Sequence, residues 1–203
     1  GTNIFRAYAF NTSGNISTTN QASFFYVLTH VLRVQALGQG TISPNYSNAV
    51  LDIGKSYSMT AKAGTGFVFN NWIVSTNWLG GVATNKATVQ FTMTSNLTLL
   101  TTFIDTIKPT LAITNLVAGQ RVTGSAYIVK GKAGDNAQVA NIWFQLNNGE
   151  WNNALTVNQW TNWSSDLDLI PGTNKLSVYA DDTAGNFSPT SSLNSQRVVT
   201  NIL

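Results

Sequence analysis

The 203-residue sequence predicts an all-β fold, and three observations support this class. Apolar and polar residues alternate over short segments, as in "KLSVYADD", where Leu176, Val178 and Ala180 share one face of a strand. These segments end at turn-forming sequences such as "IPGTN" and "DTAGN". No segment has a sustained apolar stripe with a 3.6-residue period, so no helix is predicted.

The composition is typical of a β-rich secreted or surface protein. Only 9% of the residues are charged, against about a quarter in an average protein, while 24 Asn, 26 Thr and 17 Ser supply the polar surface. The 11 Lys and Arg residues are scattered, which argues against a nucleic-acid partner. No apolar run reaches the length of a membrane span, so no membrane insertion is predicted. We expect any export signal or anchor to lie outside this sequence.

The two ends of the chain repeat each other. Residues 1–32 align without gaps on residues 172–203, and 13 of these positions are identical. The repeat includes "GTN" and the Gly-Asn turn at Gly14 and Gly185. A period of 171 residues followed by an overlap predicts an array longer than this chain.

Turn signals divide the chain near His30 and Asp105. Residues 106–200 hold about seven short strands, which is the layout of an immunoglobulin-like (Ig-like) β-sandwich. Residues 30–105 hold further strands at "RVQAL", "SYSMTAKA", "FVFNNWIV", "ATVQFTM" and "LTLLTTFI". The predicted organisation is two strands in 1–29, a smaller β-rich module in 30–105 and a sandwich in 106–203.

Both larger modules resemble known families. Residues 33–104 resemble divergent InlB B-repeat-like modules, through "GQGTISPN", a Gly-x-x-Phe-x-x-Trp segment ending at Trp72, and a Met-Thr-x-Asn segment followed by Thr-x-Phe. Residues 106–200 resemble bacterial Ig-like domains, through "IPGTN" and the Asp-x-x-Gly-Asn turn. Residues 1–29 then resemble the last two strands, F and G, of another Ig-like domain. The resemblance implies an extracellular or cell-surface tandem-repeat protein.

Catalytic chemistry is not predicted. The sequence has no cysteine, and its one histidine, His30, is aligned with Asn201 in the repeat. No Gly-x-Ser-x-Gly or phosphate-binding loop occurs. Asp166 and Asp168 alternate outward on one strand, whereas a glycosidase needs two carboxylates on different sides of a cleft. We expect a non-enzymatic protein.

A calcium site is a hypothesis for one pole of the Ig-like sandwich. The start of the first strand, the B–C loop and the F–G loop share this pole. Calcium prefers carboxylate and amide oxygens, and the candidate ligands are Asp105, Asp135, Asn136, Asp181 and Asp182. Two observations weaken the hypothesis: Asp residues also form turns by themselves, and the first copy of the repeat has Phe10 and Asn11 in place of Asp181 and Asp182.

Aromatic residues indicate a candidate contact surface. Trp143 and Tyr179 fall on the outward face of neighbouring strands, and Trp160 is predicted to point outward from a strand of its own. Flat aromatic faces bind sugars or protein partners, although an adjoining module or the strand that bears Trp151 would also cover them. Trp72 and Trp163 are predicted to be buried.

The favoured function is a structural or adhesive repeat segment of an extracellular bacterial protein: a stalk, an adhesin shaft or a filament subunit. Its partners would be neighbouring modules, or identical subunits joined by strand complementation through the first 29 residues. The alternative is a glycan-binding accessory module of a secreted carbohydrate-active enzyme.

Overall fold

The computed structural model describes residues 1–77 and 80–199. Within these residues the secondary structure consists of β-strands without a helix, so the predicted all-β class is confirmed. The chain forms two compact units. The first comprises Gly1–Gly64 and Phe69–Phe103, and the second comprises Thr65–Val68 and Ile104–Leu203.

Eleven strands begin in the N-terminal half of the chain. They are β1 (Thr2–Ala7), β2 (Asn20–Phe25), β3 (Thr29–Val31), β4 (Arg33–Leu37), β5 (Gly40–Ser43), β6 (Val50–Asp52), β7 (Ser56–Ala63), β8 (Phe67–Asn77), β9 (Gly80–Thr84), β10 (Thr88–Thr92) and β11 (Thr98–Asp105). Strands β1 and β2 form a separate antiparallel hairpin, and β3 pairs with β6. The remaining strands form two sheets, in the orders β10-β7-β5 and β4-β11-β8-β9.

Alternating burial along the strands builds the core of the first unit. In β10, Val89 and Phe91 are buried while the residues between and beside them are exposed. The largest fully buried side chains are Leu32, Met59, Trp72, Met93 and Leu99. The indole N–H of Trp72 donates to the carbonyl oxygen of Ala87 at 2.9 Å, so this large side chain is buried with its polar atom satisfied.

Two glycines near the start of this module lie against Phe103. A Cβ atom at Gly40 would lie 2.3 Å from the Phe103 ring. Gly38 has a φ of +79°, and a Cβ there would lie 2.1 Å from the Phe103 carbonyl oxygen. The Gly-x-Gly sequence and the distant Thr-x-Phe sequence are therefore parts of one packing contact, because only glycine fits beside Phe103.

The second unit contains nine further strands. They are β12 (Thr110–Ile113), β13 (Arg121–Val122), β14 (Ala126–Gly134), β15 (Val139–Leu146), β16 (Asn152–Asn153), β17 (Leu155–Thr156), β18 (Trp163–Asp168), β19 (Gly172–Asp182) and β20 (Ser191–Arg197). They form two sheets, in the orders β12-β14-β18-β17 and β13-β20-β19-β15-β16. Only β13 and β20 pair in parallel, among the pairings described for these sheets. This is the arrangement of an Ig-like sandwich, as predicted, with β19 and β20 as strands F and G.

The core of the sandwich lies between the two sheets. Its fully buried members include Val129, Ile142, Leu167, Leu176 and Val178. They come from both sheets, as expected for strands that each bury one face. Trp163 is 2% exposed, which places it in the core as the alternation pattern predicts.

Trp163 lies directly over the backbone of Gly131 on the neighbouring strand. The two residues are paired in the register of β14 and β18. A Cβ at Gly131 would lie 2.2 Å from the Trp163 ring and 2.3 Å from the backbone oxygen of Ala112. The absence of a side chain at position 131 therefore makes room for the largest residue of this core.

Substitution of Gly131 should test this contact. We expect Gly131→Ala to lower the free energy of unfolding by about 1–3 kcal/mol, because both the ring and a backbone oxygen stand in the way. Gly134→Ala on the same strand is the matched control, since its Cβ would meet only Thr110 Oγ1 at 3.7 Å. Urea unfolding of both variants checks the difference; equal losses would contradict this account of the packing.

Candidate functional site

The hairpin of β1 and β2 has the same backbone pairing as the hairpin of β19 and β20. With a shift of 171 residues, the pair Thr2–Phe25 corresponds to Thr173–Gln196, and the bridge Phe10–Ile16 corresponds to Asp181–Phe187. Gly14 and Gly185 have φ values of +80° and +88° in the equivalent turns. The sequence repeat is therefore also a structural repeat.

The two turns use the same side-chain contact. Asn11 Oδ1 accepts the backbone N–H groups two and four residues further along the chain, both at 3.0 Å. Asp182 Oδ1 accepts the two equivalent N–H groups, both at 2.8 Å. Ser17 and Ser188 are also equivalent, because each hydroxyl oxygen accepts the backbone N–H of the alanine eight residues earlier, Ala9 at 2.8 Å and Ala180 at 2.9 Å.

The hairpins differ in what covers them. Leu176, Val178 and Ala180 on β19 are buried to 1% exposure or less. Phe5 occupies the position of Leu176 and is 63% exposed. Every described residue of β1 and β2 is exposed. The first hairpin thus presents to solvent the face that the second hairpin buries in a sandwich core.

Three carboxylates meet at one pole of the second unit. Asp105, Asp135 and Asp182 have carboxylate oxygens within 4.8 Å of one another. Asp105 ends β11, Asp135 follows β14, and Asp182 ends β19, so three separate segments of the chain converge here. Asp105 and Asp182 are 5% and 3% exposed.

Hydrogen bonds from nearby N–H groups fix the carboxylates of Asp105 and Asp135 through one oxygen each. Asp105 Oδ1 accepts from the backbone N–H of Ile107 at 3.0 Å and from Asn136 Nδ2 at 2.9 Å. Asp135 Oδ2 accepts from the backbone N–H of Ala137 at 2.8 Å. Asp105 Oδ2 and Asp135 Oδ1 are buried and have no hydrogen-bond partner among the described residues.

Asp105 is ionised at neutral pH. Burial acts to raise the pKa of its carboxyl. The hydrogen bonds from the Ile107 N–H, the Asn136 side chain, the Thr106 backbone and the Asp135 side chain outweigh burial, and its pKa lies below the ordinary value. A negative charge is therefore present in the middle of this cluster.

Of the five predicted calcium ligands, the structure brings four together. Asn136 donates its amide N–H to Asp105, so it lies beside the three carboxylates. Asp181 does not belong to the cluster: its carboxylate accepts from Asn141 Nδ2 at 3.0 Å and from Trp143 Nε1 at 2.8 Å. Inclusion of Asp181 was wrong, because consecutive residues of a strand point to opposite faces of the sheet.

Sequence reasoning missed Asn186. Its side-chain amide donates to Asp182 Oδ2 at 2.8 Å and to the backbone oxygen of Asp105 at 3.2 Å. The Asp-x-x-Gly-Asn sequence carried the signal, because its first residue is Asp182, its last residue is Asn186, and both lie in one turn.

An aromatic cluster covers part of the outer face of β15 and β19. Tyr179 lies at its centre, with ring centroids 6.5 Å from Trp143, 4.7 Å from Trp151 and 6.0 Å from Phe187. Trp143 and Tyr179 are half-buried, while Trp151 and Phe187 are 37% and 56% exposed. The prediction that Trp143 and Tyr179 are neighbours on this face therefore agrees with the structure, and Trp151 provides part of their cover.

Trp160 does not lie on this surface. It has a φ of +69° in the connection between β17 and β18, and its half-buried side chain packs against the sandwich core. The prediction of an outward position on a strand was wrong because a turn with positive φ changes the direction of the side chain.

His30 has a local contact and no catalytic arrangement around it in the described residues. It lies on β3, half-buried, with Nδ1 3.1 Å from the backbone oxygen of Val31. Asp166 and Asp168 are exposed on β18, as the alternation predicts. In the described part of the chain, no helix is long and apolar enough to span a bilayer.

Comparison with known families supports the predicted module. Residues 30–106 match the family of the divergent InlB B-repeat domain, which confirms the resemblance drawn from "GQGTISPN" and the segments that follow it. This family is typical of surface and extracellular proteins. No curated protein matches the chain.

Several solved structures share local similarity with the chain. The fibronectin(III)-like modules of Clostridium thermocellum CbhA are 16% identical, with a TM-score of 0.37, and the match covers 45% of this chain and 100% of that one. An engineered protein is 13% identical over 49% of this chain, with a TM-score of 0.37, and an endo-β-1,4-mannanase from Cellulomonas fimi is 15% identical over 45%, with a TM-score of 0.33. The matches cover 22% and 19% of those two chains.

Substitutions at Asp182 can separate what its hydrogen bonds and its charge each contribute to the free energy of unfolding. In the presence of a chelator, we expect Asp182→Ala to lower the free energy of unfolding by about 1–3 kcal/mol, because buried N–H donors lose their acceptor. Asp182→Asn should lose less, since Asn11 accepts the two equivalent backbone N–H groups in the first hairpin. Urea unfolding in EDTA measures both; an Asn variant as unstable as the Ala variant would contradict this distinction.

Proposed function

We propose that this chain is a segment of an extracellular array in which Ig-like and InlB-repeat-like modules alternate. Its role is mechanical and spatial: each module buries its own core, and repetition provides the length of a stalk, an adhesin shaft or a fibre. No catalysis is assigned to it. The polar, weakly charged composition and the family match of residues 30–106 support this proposal.

The observation that carries the proposal is the uncovered first hairpin. Its register and turn contacts repeat those of strands F and G in the second unit. In that unit the edge of β19 pairs with β15, and the same face packs against the opposite sheet. The occupant that fits the first hairpin is therefore the remainder of another Ig-like sandwich, equivalent to residues 106–171.

Two large apolar side chains on the inner face of the hairpin agree with this occupant. Phe5 and Phe24 are 63% and 56% exposed, and they lie on the face that corresponds to the buried side of β19 and β20. Exposed apolar patches on strands with free edges mark sites of association. A neighbouring module of the array would supply the strands, either along the same polypeptide or from an identical subunit.

Two arms of one experiment test the proposal. The first measures the molar mass of the 203-residue chain by light scattering over a range of concentrations. The second places residues 106–171 ahead of Gly1 and follows hydrogen exchange in β1 and β2. In the first arm we expect self-association that requires residues 1–29. Otherwise, in the second arm, we expect at least about 100-fold slower hydrogen exchange in the extended chain, because new strand pairs protect the backbone N–H groups.

Two substitutions provide the matched controls. Phe5→Asp places a charge on the inner face and should abolish association or protection. Phe10→Asp should leave either unchanged, since the second hairpin carries Asp181 at that position. A chain that stays monomeric, and whose hairpin gains no protection in the extended form, overturns the proposal.

Glycan binding is a second candidate function, favoured by the aromatic cluster around Tyr179. Trp151 and Phe187 expose part of their rings beside Tyr179. Aromatic rings bind sugar faces through apolar contact, and a partly covered cluster of this kind would serve an accessory module.

Affinity electrophoresis in gels that contain soluble cellulose derivatives, xylan or chitin fragments tests this candidate. If the cluster binds a glycan, the chain should be retarded and Trp151→Ala should remove most of the retardation, because the exposed ring is lost. Val157→Ala is the control, since Val157 is fully exposed and no ring contact of the cluster involves it. Unretarded migration in every gel rejects the candidate for these polysaccharides.

A further inference from the structure

The cluster of Asp105, Asp135 and Asp182 concentrates negative charge where neighbouring protein groups do not neutralise it. Their carboxylate oxygens lie within 4.8 Å of one another, and two of the three residues are buried. Among the described residues, the ion pair identified is Lys55 with Asp52, in the other unit, and no lysine or arginine pairs with the cluster. Buried like charges at this distance destabilise a fold unless a bound cation or a shared proton offsets their repulsion.

Unpartnered oxygens within the cluster give a second and independent observation. Asp105 is 5% exposed, and its Oδ2 has no hydrogen-bond partner in the described part of the chain. The same holds for Asp135 Oδ1. Buried polar atoms in proteins are normally hydrogen-bonded, so two orphaned carboxylate oxygens in one cluster indicate a missing ligand.

The local turn does not explain the charge at position 182. In the first hairpin, Asn11 accepts the two backbone N–H groups that are equivalent to those accepted by Asp182. A neutral amide is therefore sufficient for this turn. The carboxylate of Asp182 differs from Asn11 by its charge, and that charge faces Asp105 and Asp135.

We propose that Asp105, Asp135 and Asp182 bind a calcium ion at this pole of the Ig-like unit. Calcium–oxygen distances of about 2.3–2.6 Å allow two oxygens on one ion to lie up to about 5 Å apart, so the observed separations permit a shared ion. The three carboxylates supply charge and at least three of the six to eight oxygens that calcium takes; water and amide or carbonyl oxygens complete the shell. The proposal does not depend on the proposed function.

Calcium suits this cluster better than magnesium. The carboxylates come from three different segments and are held by backbone hydrogen bonds in positions set by the turns. Magnesium requires a nearly ideal octahedron and gives up its water reluctantly, whereas calcium accepts irregular oxygen shells.

Calorimetric titration and thermal unfolding of the 203-residue chain test the proposal. After removal of metals with EDTA, we expect calcium to bind at one ion per chain and to raise the unfolding midpoint of the Ig-like unit by at least about 4 °C at saturation. Magnesium at the same concentration should produce a smaller shift.

Charge-removing variants connect the response to the cluster. Asp182→Asn preserves the acceptor for the turn, as Asn11 shows, and should weaken calcium binding by at least about tenfold because a charged ligand is lost. Asp105→Asn should do the same. Asp168→Asn, an exposed carboxylate on β18, is the matched control and should bind calcium as the unsubstituted chain does.

The outcomes separate clearly. Loss of the calcium response in Asp105→Asn and Asp182→Asn, but not in Asp168→Asn, supports the proposal. No binding heat and an unchanged midpoint in the unsubstituted chain overturn it. The same result is expected if Asp105 and Asp135 share a proton in place of a calcium ion. An equal or larger response to magnesium overturns the assignment to calcium.

Discussion

One side-chain acceptor at the F–G turn sets the geometry on which both hairpins depend. Asp182 and Asn11 each accept two backbone N–H groups, two and four residues further on, and this closes the turn at one register. The register then decides which side chains face inward, because a shift of one residue would move every apolar residue to the other face. The burial of Leu176 and Val178, and the position of Phe5 in the first hairpin, both follow from that turn.

Alternation within a strand could be read from the sequence, but the order of the strands in residues 30–105 could not. The buried positions of β10 and β19 follow the predicted alternation, because successive side chains point to opposite faces. The order β4-β11-β8-β9 was not predictable, since a pattern of faces does not identify the neighbouring strand. The contact of Phe103 with Gly38 and Gly40 explains the spacing of one family motif, yet only the fold brings these distant segments together.

The candidate site shows the same division. Convergence of Asp105, Asp135 and Asp182 was predictable, because the Ig-like topology places their three segments at one pole. Asp181 was wrongly included because the sequence places it beside Asp182, whereas the strand directs it to Trp143 on the outer face. Trp160 was misplaced for a different reason: its positive φ belongs to a turn that the alternation pattern did not reveal.

The inner faces of the two hairpins differ in sequence but have a similar total side-chain volume. Phe5 and Ala7 replace Leu176 and Val178, so one larger and one smaller side chain stand where two of intermediate size stand, and the total volume changes little. On the opposite face, the polar cross-strand pair Ser177–Ser192 becomes Arg6–Gln21, and each pair keeps a side-chain hydrogen bond. The opposite face is not polar throughout, since the positions of Lys175, Asp181 and Gln196 are occupied by Ile4, Phe10 and Phe25. A hairpin selected for permanent exposure would not need to keep the volume of its inner face. The pattern therefore favours a hairpin that completes a sandwich core.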